Sequence, residues 1–227
     1  MKKINGKKEE IRKNDNLTEL VFILDKSGSM SGMESDTIGG FNSMLKKQQA
    51  VEGEAYVTTV LFSSDHRTLH DRLPVKDVQP LTEADYSVGG CTALMDAIGD
   101  TIEHIAMIHK YARPEDVPAK TLFVITTDGM ENASFRYSSD EVKRKIRKET
   151  EKYGWEFIFM AANIDAVETA KRFGIREDRS VNFKQDRRGM ELAFETVSSV
   201  ACSMQRDAAV PAGWNQRLNE DVKKRGR

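Results

Sequence analysis

Cysteine is scarce, with only Cys91 and Cys202 in 227 residues. Two cysteines cannot build a disulfide framework, and no CxxC pair is present to hold zinc. Reduced thiols in a cytoplasmic protein are therefore expected. Proline (5) and glycine (15) are too few for a low-complexity or collagen-like chain. No apolar run approaches the roughly 20 residues of a membrane-spanning helix. The stretch Met1–Glu10 is basic but has no apolar segment, so it does not read as a secretory signal. Charge of one sign is missing too: 35 Lys and Arg balance 36 Asp and Glu, for a net charge of -1. That balance argues against binding to nucleic acid or a membrane surface through bulk charge. Neither GxxxxGK[ST] nor GxGxxG occurs, so phosphate cradles of those kinds are excluded.

What is present is a chain with 39% hydrophobic and 31% charged residues, enough apolar material for one packed core under a charged surface. Val21-Phe22-Ile23-Leu24, in Leu17–Asp25, is a continuous apolar run, the mark of a strand buried on both faces. Glu54–Ser64, Lys120–Thr127 and Trp155–Ala162 read as further buried strands. Arg67–Val78, with Pro74, reads as a short edge strand, and Ser180–Phe183 as one more short strand. Helical spacing runs through Glu34–Val51, Ala93–Tyr111, Ser139–Tyr153, Ala166–Phe173 and Arg188–Gln205. Ser138 or Ser139 is placed to cap the third of these, and Gly174 to end the fourth. Strands alternating with helices predict an α/β domain: a doubly wound, mostly parallel sheet with one antiparallel edge strand and helices on both faces. Residues 17–206 form that domain, between a polar segment 1–16 and a polar tail 207–227.

In an open α/β sheet, ligands bind at the carboxyl ends of the strands. Three polar segments are predicted to meet there: Asp25-Lys26-Ser27-Gly28-Ser29, Gly89-Gly90-Cys91-Thr92 and Asp128-Gly129. Together they offer two carboxylates and three hydroxyls. An all-oxygen set of this kind suits a hard divalent cation, Mg2+ or else Mn2+ or Ca2+. With only two acidic groups, one further anionic ligand would complete the site well.

Asp25-x-Ser27-x-Ser29, Thr92 and Asp128, in this order and at these strand ends, resemble the metal-ion-dependent adhesion site of von Willebrand factor type A domains. The resemblance covers roughly residues 17–206. The segments Gly89–Ile98 and Thr127–Ser134 also resemble bacterial stand-alone members. It implies a Rossmann-like fold and a protein-binding module rather than an enzyme. Ser27 and Ser29 would ligate the cation directly. Thr92, Asp25 and Asp128 would do so directly or through water. A Glu or Asp carboxylate of a partner protein would take the open position. Bacterial relatives act as partners or adaptors, some beside AAA+ ATPases or in the assembly of complexes. The resemblance also implies, for some members, a shift of the last helix on ligand binding, and Arg188–Gln205 occupies that place.

A competing reading is a Mg2+-dependent phosphohydrolase or phosphotransferase using a strand-end Asp. The haloacid-dehalogenase-like pattern needs a second Asp where this chain has Ser27. Other chemistry-bearing residues read blandly. Cys91 reads as a small packed thiol, with no His tied to it. His66, His70, His104 and His109 share no ligand spacing. Glu131-Asn132 either positions the Asp128 loop or forms a solvated turn. Asp165 reads as a helix cap, and Asn163 is a candidate for the site rim.

Overall fold

The structure is a computed structural model and describes residues 13–207 and 209–226. Strands β1 (Asn14–Asp25), β2 (Glu54–Phe62), β3 (His66–Pro74), β4 (Pro118–Thr127), β5 (Glu156–Ala161) and β6 (Ser180–Asn182) form one sheet. Its order is β3-β2-β1-β4-β5-β6, parallel throughout except for the antiparallel β2–β3 pair. Among the described residues six α-helices accompany it: α1 (Glu34–Gln49), α2 (Leu94–Tyr111), α3 (Ser139–Tyr153), α4 (Ala166–Arg172), α5 (Arg187–Asp207) and α6 (Gln216–Arg225). This is the expected doubly wound α/β architecture.

Period-two alternation divides the apolar strands between two cores. Leu20, Phe22 and Leu24 of β1, with Leu122 and Val124 of β4, face one core with α1, α5 and α6. Val21 and Ile23, with Phe123 and Ile125, face the other with α2, α3 and α4. The continuous apolar runs read from the sequence thus belong to strands covered on both sides. Helix α1 packs closely on α5 because Gly40 has no side chain: a Cβ there would stand 2.3 Å from Phe194 Cδ2. Helix α3 opens on a capping box between Ser138 and Glu141 and closes on left-handed Gly154.

Two segments differ from expectation. The polar amino-terminal segment 1–16 lies outside the described residues up to residue 12, and Asn14–Asn16 already belong to β1, Asn14 pairing with Pro118 across a register shift. The polar tail 207–227 contains α6, which buries Leu218 in the α5 core. Ion pairs fix its end, with Arg225 2.7 Å from both Asp186 and Asp221. Its approach covers the outer margin of β6: Trp214 Nε1 donates to Asp178 O at 2.8 Å and Asn215 Nδ2 to Ser180 O at 3.3 Å.

A charged group lies deep in the sheet, away from the strand ends. Glu19 of β1 has no solvent exposure. Arg72 Nε donates to its Oε2 at 2.8 Å, and His109 Nε2 lies 3.1 Å from the same oxygen. Arg72 sits in a left-handed backbone conformation (φ 47°) beside the irregular β2–β3 pairing, with its guanidinium 4.6 Å from the Tyr56 ring centroid. Among the described residues, no helix is long and apolar enough to cross a membrane.

Candidate metal centre

Strand β1 leads to β2 and β3 on one side, and the chain then returns to place β4 on the other side of β1. The strand order reverses between β1 and β4, the switch point at whose carboxyl edge ligands bind in open α/β sheets. Asp25 ends β1 and Asp128 follows the last residue of β4, so both carboxylates stand at this switch point. Each is only 2% exposed.

Main-chain contacts hold the surrounding loops. Gly28 N donates to Gly90 O at 3.0 Å and Gly89 N to Lys26 O at 2.9 Å, joining the Ser27–Ser29 turn to the Thr92 loop. Gly90 permits the close approach at φ 79°, where a Cβ would lie 2.6 Å from Ser64 Oγ. Tyr86, fully buried, donates its hydroxyl to the main-chain oxygen of Asp25.

The five predicted residues come together. Asp25 Oδ1 accepts from Ser27 N at 2.7 Å, and its Oδ2 accepts from Thr127 Oγ1 at 2.6 Å. Ser27 Oγ and Ser29 Oγ lie 3.1 Å apart, and Ser29 Oγ donates to Asp128 Oδ1 at 2.6 Å. Thr92 is fixed through its backbone: its N–H donates to Asn132 Oδ1 at 2.9 Å, and its carbonyl accepts from Asn132 N at 3.1 Å. A Cβ on Gly129 would stand 3.3 Å from Ser29 Oγ and 3.6 Å from Thr92 Oγ1, so both hydroxyls flank the space that glycine leaves open.

Burial holds both Asp25 and Asp128 above the usual carboxylate range, and the negative charge of Asp25 adds to the effect on Asp128. Their hydrogen-bond partners are Ser27, Thr127, Ser29 and Gln185, none of them basic. Two buried carboxylates beside three hydroxyls, with no basic side chain paired to them among the described residues, fit a hard divalent ion by donor chemistry and charge. Among the described residues no three His, Cys, Asp or Glu side chains gather into a metal-binding group. Any cation held here would therefore depend on the hydroxyls.

Several residues at the site had no motif to reveal them. Gln185, from the β6–α5 segment, donates through Nε2 to Asp128 Oδ2 at 2.6 Å and to Ser29 O at 2.7 Å. Asn163 in turn donates to Gln185 Oε1. Thr127 and Tyr86 support Asp25 from behind. Of the two roles open to Glu131-Asn132, positioning is the one seen: Glu131 accepts from Met95 N at 2.8 Å and from Ala133 and Ser134, while Asn132 holds Thr92. Asp96, buried in the first turn of α2, accepts backbone N–H groups of Phe135, Arg136 and Tyr137 at 3.0–3.1 Å. The loop after β4 is thus rigid, yet it displays Met130 and Phe135, 73% and 86% exposed.

Asp165 caps α4 by accepting from Glu168 N at 3.0 Å. Cys91 is exposed rather than packed, because its N–H is held on Ser64 Oγ at 2.8 Å at the loop surface. The four histidines are dispersed: His66 pairs with Asp100, His104 with Asp71, His109 with Glu19, and His70 contacts Thr59.

No family model matches the chain, and no curated protein matches it. Solved structures do. The chain is similar to a von Willebrand factor type A protein from Catenulispora acidiphila, with a TM-score of 0.57 and 13% identity over 84% of this chain and 43% of that one. Proximal thread matrix protein 1 from the mussel byssus gives a TM-score of 0.54 and 16% identity over 84% of this chain and 47% of that one. The ArnB paralog VWA2 from Sulfolobus acidocaldarius gives 0.50 and 16% over 85% and 46%. The chain spans about half the length, or less, of these proteins. The sheet order, the single antiparallel edge and these likenesses together identify the fold as von Willebrand factor type A-like.

Proposed function

We propose that the chain is a metal-dependent protein-interaction module. Asp25, Ser27, Ser29, Thr92 and Asp128 would hold a divalent cation, Mg2+ or else Mn2+ or Ca2+. The bound ion would supply an electrophilic anchor for one acidic side chain of a partner protein. The observation that carries this reading is the convergence of two buried carboxylates with three hydroxyls at the switch point of the sheet.

The chain's own residues do the positioning. Thr127 and the Ser27 amide fix Asp25, Ser29 fixes Asp128, and Asn132 fixes the Thr92 backbone. Met130 and Phe135 lie exposed on the loop that follows Asp128. They suit a protein surface better than a small polar substrate. The reading is one of binding without turnover, in the cytoplasm, with an AAA+ ATPase or an assembly complex as the kind of partner the resemblance implies.

The test is affinity capture from cell extract with the full chain in Mg2+ and in chelator, beside Ser27→Ala. Partners retained by the wild type in Mg2+, and lost both in chelator and with the variant, are the expected result. A partner set indifferent to chelator would overturn the cation bridge.

A further inference from the structure

We propose that Gln185 is a positioning residue of the cation site, setting the orientation of Asp128 from the segment between β6 and α5. The inference rests on the reading of Asp25, Ser27, Ser29, Thr92 and Asp128 as a cation site.

Gln185 lies 57 positions from Asp128 and follows β6, two strands from β4 in the sheet, yet its amide nitrogen reaches two acceptors at once, Asp128 Oδ2 and Ser29 O. A carboxylate and a carbonyl can only accept, so the nitrogen end of the amide must face them. Asn163 fixes the other end by donating to Gln185 Oε1. Asn163 itself adopts a left-handed backbone (φ 55°) directly beyond β5, a conformation asparagine tolerates better than most residues. The segment behind Gln185 is also held. Asp186 accepts from Gly189 N at 2.8 Å at the start of α5 and pairs with Arg225 of α6.

The consequence falls on Asp128. Ser29 engages Oδ1 and Gln185 engages Oδ2, so rotation of the carboxylate about its Cβ–Cγ bond is blocked from both sides. Each oxygen keeps a further lone pair for a cation. Thr127 and the Ser27 amide impose the same two-sided restraint on Asp25. Both carboxylates are therefore oriented before any ion arrives. Outer-shell partners of this kind typically govern affinity by about 10–100-fold.

Calorimetric titration with MgCl2 and MnCl2 tests this, beside thermal melts in chelator. Gln185→Met keeps the length of the side chain and removes its donors; a residue that merely fills space would leave affinity unchanged in this variant. The expected result is about tenfold weaker binding in Gln185→Met and Gln185→Ala. Asn163→Gly keeps the left-handed backbone and frees Gln185 Oε1; a smaller loss in the same direction is expected, and it decides the matter if the Gln185 variants do not fold. Wild-type affinity in Gln185→Met overturns the proposal. Tighter binding also overturns it, by showing that Gln185 competes with the cation. If the wild type binds neither ion, the cation-site reading falls and takes this proposal with it.

Discussion

Ser29 Oγ donates to Asp128 Oδ1 at 2.6 Å although 99 positions separate the two residues in sequence. The contact exists because β1 and β4 are neighbours in register, Leu24 beside Thr126, so the loops leaving them emerge side by side. The hydroxyl is shared between a carboxylate and the space above Gly129. Removing it should weaken both the proposed donor set and the hold on Asp128.

A saturating cation should therefore stabilise the fold. At a hundredfold excess over Kd, linkage gives about 2.7 kcal/mol, and at about 2–4 °C per kcal/mol for a chain of this size the Tm should rise by about 5–10 °C. Ser29→Ala should lose most of that rise while melting close to the wild type in chelator. Differential scanning fluorimetry across a Mg2+ series checks both values.

The pH dependence has a definite sign. Asp25 is held above the ordinary carboxylate value of about 3.9 by burial. A carboxyl raised in the folded state binds its proton more tightly there than in the unfolded chain, so it costs stability as pH rises through that raised value. Asp25→Asn removes the cost. Its Oδ1 still accepts from Ser27, and the Thr127 hydroxyl can turn to Gly129 O at 3.3 Å. In chelator the variant should melt above the wild type at pH 7, with the gap closing toward pH 4. In excess Mg2+ at pH 7 the order should invert. Melting curves across pH with and without the ion check the prediction.

Much of this fold is legible in the sequence because the central strands are covered on both faces, which forces unbroken apolar runs such as Val21–Leu24. The convergence of the five candidate residues is legible because they sit directly at strand ends and before α2. Helix α6 is not: Gln216–Arg225 offers Leu218 as its buried apolar anchor, and its end is tied by Arg225 ion pairs. Gln185 is invisible for a different reason. A single amide in a polar loop carries no pattern, and only the return of β6 beside β5 brings it to Asp128.

Close helix packing makes Gly40 sensitive. A methyl there would meet the Phe194 ring, which itself packs edge-on against Phe41 with centroids 6.4 Å apart. Gly40→Ala should cost about 1–3 kcal/mol through overpacking. Chemical denaturation should show this as a lower midpoint with the slope unchanged.

The buried charge group is more fragile. Arg72→Ala would leave Glu19 without its guanidinium in a site closed to solvent. Breaking a buried pair on one side costs about 3–5 kcal/mol. The same denaturation measurement checks it, and a double Glu19→Gln/Arg72→Met variant should recover part of the loss because no unpaired charge remains.

The two margins of the sheet are guarded in different ways. At β6 a three-residue strand is overlaid by Trp214 and Asn215, which take up Asp178 O and Ser180 O. At β3 the exposed row carries Arg67, Thr68 and Asp71, and a left-handed Arg72 kinks the strand. Short, covered, charged or bulged edges resist templating by another chain. The molecule can thus keep an apolar interior of parallel strands without inviting strand-by-strand growth into oligomers or fibrils, and any contact with another protein would fall to its loops and helix faces.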